Sequence, residues 1–143
     1  MRILGLDFGS KVIGVAISDE LTITAQPLTS IRRTSLEKDL SSILELVTGY
    51  QVAEVVVGLP INMNGTKGES ARKAEAFIEK LQGRLSSKII SWDERLTTMA
   101  AERVLLEGDV SRRKRRKVID RVAAALILQG YLDSRSRKNE NPL

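Results

Sequence analysis

The sequence predicts an α/β domain: one mixed sheet with helices packed on both of its faces. Three observations predict it. Near the N-terminus, short apolar runs follow one another with only turn-length gaps, so the first strands pair as an antiparallel meander. Further on, apolar runs alternate with segments whose apolar residues recur at helical spacing, which adds strands in parallel. The 143 residues, 42% of them apolar, suffice for one real hydrophobic core.

The elements follow in order. Arg2 to Phe8 and Val12 to Ser18 read as a hairpin around a Gly9-Ser10-Lys11 turn. A third strand is expected in Thr22 to Leu28, ending before or at Pro27, because strands tolerate proline at edges and ends. Leu36, Leu40, Ile43, Leu44 and Val47 mark a helix that Gly49 stops. The run EVVVGLP from Glu54 suits a strand buried on both faces. The loop INMNGTKG follows, where Thr66 and Glu69 have the spacing of a capping box. Ala71, Ala74, Phe77, Ile78 and Leu81 then form a helical stripe, and KIISWDE from Lys88 is a strand ending in acids. A helix carrying Ala100, Ala101, Val104 and Leu105 comes next, and the last and most apolar helix runs from about Arg116 to Leu132. The order is β-β-β-α-β-α-β-α-α, without repeats or an interdomain linker. Residues 1–133 form one domain, and the polar stretch 134–143 is expected to be a disordered tail.

Composition excludes several chemistries. There is no cysteine, so disulfides and thiolate metal sites are absent, which fits a reducing compartment and a cytoplasmic location. There is no histidine, so Ser-His and Cys-His nucleophile pairs are impossible; carboxylates, lysines or a hard metal must carry any catalysis. No apolar run approaches the roughly 20 residues of a membrane span, and Asp7 and Lys11 interrupt any signal-peptide core. The net charge is +5, yet Arg112, Arg113, Lys114, Arg115, Arg116 and Lys117 are six consecutive cations; without them the rest of the chain stands at −1. Such a block is matched by a polyanion, though a solvated helix entry accounts for it equally well.

Acids at three places do not fit the core. Asp7 interrupts an apolar strand between Leu6 and Phe8, where an unpaired carboxylate is costly to bury. Asp93 and Glu94 close a later strand, at the end where α/β sheets place their sites. Asp120 shares a helical stripe with Ala123, Ala124, Ile127 and Tyr131. Each alone has a structural explanation: Asp7 as an acceptor for turn amides, Asp120 as a partner of Arg116 or of the helix N-terminus. Together they can converge at one sheet edge, where three carboxylates need a cation to stay ionised. All-oxygen ligation suits Mg²⁺ or Mn²⁺, and a pair of such ions is a phosphodiester-cleaving arrangement that needs no histidine.

Four segments, LGLDFGSKVIGVAISD, VVVGLPINMNGTKGESA, WDERLTT and IDRVAAALILQGYL, resemble the YqgF (RuvX) family in order and spacing, from Met1 to about Leu132. These RuvC-like proteins are described as Holliday junction resolvases and as nucleases of pre-16S ribosomal RNA maturation. The resemblance implies a ribonuclease H-like fold, a five-stranded mixed sheet flanked by helices. It also implies that Asp7, Glu94 and Asp120 are the catalytic, metal-binding set. Alternation puts Asp93 and Glu94 on opposite strand faces; Glu94 is chosen on the resemblance, with Asp93 the alternative ligand. Two positions depart from the family: Val12 stands where Arg is usual, removing a phosphate contact, and Asn64 where Asp is frequent, removing a further acid.

Around this set, Lys11, Arg95 and Thr97 are candidate phosphate contacts beside the run Arg112 to Lys117. Gly9 lets backbone approach what Asp7 holds, and Gly58, Pro60, Asn62 and Gly65 shape either a substrate loop or an ordinary β-to-α connection. Trp92 reads as core rather than a base-stacking platform, aromatics being only 3% of the chain. The expected activity is metal-dependent hydrolysis of structured nucleic acid by a monomer or weak homodimer, with RNA favoured and DNA the alternative. Two other classes compete. The Asp7 segment is also similar to the first phosphate loop of actin-like ATPases and sugar kinases, but a second such domain is missing. A non-catalytic RNA-binding assembly factor would keep the acids as a vestige.

Overall fold

A computed structural model describes residues 1–95 and 112–140, with side chains in the latter stretch from Arg121 to Ser136. Five strands, β1 (Arg2–Phe8), β2 (Val12–Ser18), β3 (Ala25–Arg32), β4 (Val52–Leu59) and β5 (Lys88–Asp93), form one sheet in the order β3-β2-β1-β4-β5. β2 pairs antiparallel with β1 and β3, while β4 and β5 add in parallel. This is the mixed, meander-then-parallel sheet the hydrophobic patterning predicts.

Among the described residues three helices cover it: α1 (Leu36–Gly49), α2 (Glu69–Arg84) and α3 (Arg112–Glu140). Because strand side chains alternate between faces, the sheet has two cores. Leu4, Leu6, Val15, Val55 and Val57 pack with Leu40, Ile43, Phe77 and Leu81 on the α1–α2 side. Ile3, Ala16 and Val56 pack with Ala124, Ile127 and Leu128 on the α3 side. Each fully buried Val, Leu, Ile or Phe side chain among them contributes roughly 1.5–3 kcal/mol relative to exposure.

Several boundaries differ from expectation for physical reasons. β3 starts later, at Ala25, because Asp19 turns the chain by accepting the amides of Ile23 (2.7 Å) and Thr24 (3.0 Å). It then runs through Pro27, which an edge strand tolerates, at a register irregularity opposite Val15 and Ala16. The Thr66–Glu69 capping box does not form: Gly68 is the N-cap, Thr66 bonds Asn64 instead, and Glu69 pairs with Lys73. Residues 134–140, expected to be disordered tail, continue α3. No glycine or proline interrupts the chain between Tyr131 and Asn141, and Arg135 reaches the carboxylate of Glu54 at 3.5 Å while Tyr131 donates to it at 2.8 Å. The expected helix around Ala100 to Leu105 lies outside the described residues. Among the described residues no helix is long and apolar enough to cross a membrane.

Candidate active site

The alternation that divides the core also positions the acids. On β1, Ile3 belongs to the α3-side core, and a side chain at Gly5 would meet Leu128 and the Ala124 carbonyl; Asp7 continues that face. On β4 the same face carries Val56 and then Gly58; next to it, β5 carries Ile90, Trp92 and then Glu94. Asp7, Gly58 and Glu94 therefore gather where three neighbouring strands end, and the Glu94 amide extends the ladder by donating to Leu59 at 3.2 Å. Gly58 is required by this arrangement, because a Cβ there would strike both the Glu94 carboxylate and the Ile127 side chain. Absence of a side chain on β4 lets Glu94 lie across the sheet end.

Electrostatics follow from that placement. Burial pushes the Glu94 carboxyl up to about 7, and the negative charges of Asp7 and Asp93 add to the rise. Asp93 points away and is held by Arg95, whose Nε donates to Oδ2 at 2.8 Å; this bond lowers the Asp93 pKa. Arg95, a candidate phosphate contact, is thus engaged with its neighbour. Lys11 is exposed on the β1–β2 turn. Trp92 packs at the sheet face beneath Gly130, edge-on to Tyr131 at 6.1 Å, in a core position.

Asp120 lies on α3; its side chain, like those of Arg112 to Lys117, is outside the described residues, as is Thr97 altogether. The helix axis is nevertheless registered. Arg121 donates to the Ser30 hydroxyl at 3.2 Å; Ser30 pairs with Gly14, and Gly14 with Asp7. At the other end, Gln129 accepts the amide of Ala25 at 2.9 Å. The helix therefore runs with its N-terminal turns at the Asp7 end of the sheet, which brings the backbone at Asp120 and the cationic run to that end. One residue that sequence patterning does not single out also belongs to this region. Arg33 donates to the carbonyls of Gly9 (3.2 Å) and Ser10 (3.4 Å), fixing the turn that follows Asp7. Nothing in the sequence distinguishes it from Arg32 beside it.

Comparison with known proteins places this architecture. A family model described as RuvX, Holliday junction resolvase, matches residues 1–134. A protein of Symbiobacterium thermophilum is 60% identical over 138 residues, 96% of each chain. Another from Desulforamulus reducens is 55% identical over 134 residues, 94% of this chain and 98% of its own. Both bear the name "Putative pre-16S rRNA nuclease". Among solved structures, T. thermophilus RuvC with a Holliday junction substrate superposes with a TM-score of 0.60 at 15% identity, covering 95% of this chain and 96% of that one. The fowlpox virus resolvase with junction DNA gives 0.59 at 16% identity, covering 94% and 98%. The fold is thus the RuvC-like, ribonuclease H-like one, and with the family model matched over residues 1–134 and relatives up to 60% identical along almost its whole length, the chain belongs to the RuvX family.

Proposed function

We propose that this protein is a divalent-metal-dependent nuclease that hydrolyses phosphodiester bonds in structured nucleic acid, its substrate being precursor 16S ribosomal RNA. The observation that carries the reading is the meeting of Asp7 and Glu94 at one sheet end, with Glu94 strained toward its neutral form by burial and by the Asp7 charge. Two carboxylates brought this close raise the cost of ionising both, a cost that a cation held between them offsets. Their donor set is all oxygen and contains no histidine or cysteine, so it fits a hard cation, Mg²⁺ or Mn²⁺, better than zinc or copper. Asp7, Glu94 and Asp120 would hold it, with Asp93 as the alternative ligand. Bound there, such a cation would supply neutralisation of the phosphodiester charge and a lowered pKa for water.

The chain's own residues account for the remaining requirements. Asp7 and Asp120 hold charge at the sheet end, and the Glu94 carboxylate orients the attacking water and accepts its proton. The water oxygen forms a new bond to phosphorus as the bond to the leaving nucleoside oxygen breaks. The run Arg112 to Lys117, with Lys11 and Arg95, grips backbone phosphates by charge, independent of sequence. The 52–60% identity to relatives named as ribosomal RNA nucleases supports RNA as substrate and a cytoplasmic site of action.

The family description and the junction-bound neighbours favour a second reading, resolution of four-way DNA junctions, which needs two active sites and hence a dimer. One experiment addresses both. Purified protein and Asp7→Asn are incubated with a precursor ribosomal RNA fragment and with a four-way DNA junction, in Mg²⁺ or Mn²⁺. The expected outcome is cleavage of the RNA by the unaltered protein and none by the variant. Cleavage of the junction alone would select the resolvase. Binding without cleavage in every metal would replace the nuclease with a non-catalytic assembly factor.

A further inference from the structure

The sheet end has a second side. Alternation turns Phe8, the residue after Asp7, toward α2, where its ring stacks on Phe77 at 4.3 Å. Arg33 lies with its guanidinium 4.3 Å above the Phe8 ring. The Asp39 carboxylate approaches Arg33 Nε at 3.6 Å, and its side chain is only 3% exposed. Phe8, Gly9, Ser10, Arg33, Ser70 and Lys73 line a hollow of about 110 Å³. It continues past Phe77 to Lys80 as a second hollow of about 190 Å³.

The groove sets cations around an apolar floor of Phe8, Leu36, Ala76 and Phe77. Arg33, Lys73 and Lys80 contribute three cations to its walls, and no acid lines either hollow. The counter-charges are the buried Asp39, which lines neither hollow, and the solvent-exposed Glu69, which meets Lys73 at 3.2 Å across one helical turn. Among the described residues, the Ser10 and Ser70 hydroxyls make no hydrogen bond, so two neutral donors stand ready beside the cations. Ser70 lies in the first turn of α2, whose N-cap Gly68 supplies no side-chain bond to the free amides there. The bonds from Arg33 to Gly9 and Ser10 hold the walls in place, so little ordering is needed on binding.

We propose that this groove is a second contact for the phosphodiester backbone of nucleic acid, on the face of the sheet opposite Asp7 and Glu94. The proposal rests on the nuclease reading for its ligand. A strand whose reacting phosphate lies at Asp7 crosses the Gly9-Ser10-Lys11 turn and places later phosphates against Arg33, Lys73 and Lys80. The run at the start of α3 holds the same strand from the acid side, so the substrate spans both faces of the sheet.

The test uses Asp7→Asn protein, which binds without cutting, and a fluorescently labelled single-stranded RNA at several salt concentrations. Lys73→Gln with Lys80→Gln removes two exposed charges; Arg33→Gln is measured separately, since it also disturbs the turn. Each phosphate that is no longer neutralised is expected to flatten the log–log salt dependence by about 0.7 on a single strand, so by about 1.4 for the lysine pair. An unchanged slope and affinity in the lysine pair would overturn the groove. If that pair is silent while neutralising Arg112 to Lys117 flattens the slope, the groove falls and nucleic-acid binding stands. If the parent protein binds neither this RNA nor a four-way DNA junction, the groove and the nuclease reading fall together.

Discussion

At the scale of single residues, the consequence of bringing Glu94 to Asp7 is a pH-dependent cost to the metal-free fold. The Glu94 carboxyl titrates at about 7 in the folded chain against an ordinary 4.5, so the folded state keeps its proton longer than the unfolded state. Stability is then full below about pH 4.5 and declines as pH rises through 7. Allowing for the partial exposure of the group, the loss is about 1–3 kcal/mol. In chelator, Glu94→Gln should therefore be more stable than the parent by that amount at pH 8, with the advantage gone near pH 4; urea melts at the two pH values measure it. Equal stability at pH 8 would mean that the Glu94 charge is already balanced within the chain. Of the proposed acids, Asp7 and Asp120 are singled out by the sequence because each interrupts an apolar pattern. Strand alternation separates Asp93 from Glu94 but does not say which face belongs to Asp7. That depends on which helix covers each face, a tertiary fact. Arg33 is not legible at all, since an arginine after a strand carries no pattern.

At the scale of elements, two glycines show how the site depends on close approach of α3 to the sheet. A Cβ at Gly5 would lie 2.7 Å from Leu128 Cβ and 3.0 Å from the Ala124 carbonyl, atoms fixed to the helix backbone. Gly5→Ala must therefore push α3 away and is expected to cost about 1–3 kcal/mol in thermal or denaturant unfolding. Gly58→Ala meets side-chain ends instead, the Glu94 carboxylate and Ile127 Cδ1 at 2.5 Å, which can turn aside. It should melt closer to the parent yet displace Glu94 from Asp7 and lower cleavage by about 100-fold. A large loss of stability in Gly58→Ala with activity per folded molecule intact would reverse this assignment. The elements themselves are mostly legible from hydrophobic periodicity. The boundaries that depart from it lie where an interaction distant in sequence decides: β3 passes through Pro27 only because it is the edge strand, and α3 continues past Leu132 where Arg135 meets Glu54.

For the whole molecule, the decisive quantity is how charge is divided between the two faces of one sheet. The sequence displays the α3 run plainly, because its six cations are contiguous and outweigh a remainder of −1. The groove on the other face stays hidden in the sequence, since Arg33 follows β3 while Lys73 and Lys80 lie on α2, and only folding brings them around Phe8. Two grips on opposite faces of one sheet should contribute additively. Replacing Arg112, Arg113 and Lys114 with glutamine keeps good helix formers in α3 and should leave the melting temperature unchanged. On duplex nucleic acid it should lower the log–log salt slope by about 0.9 for each phosphate that the run ceases to neutralise. Combined with Lys73→Gln and Lys80→Gln, the reductions in slope should sum. A combined reduction equal to the larger single one would mean that both sets of cations act on one length of backbone, and the substrate would then stay on one face of the sheet.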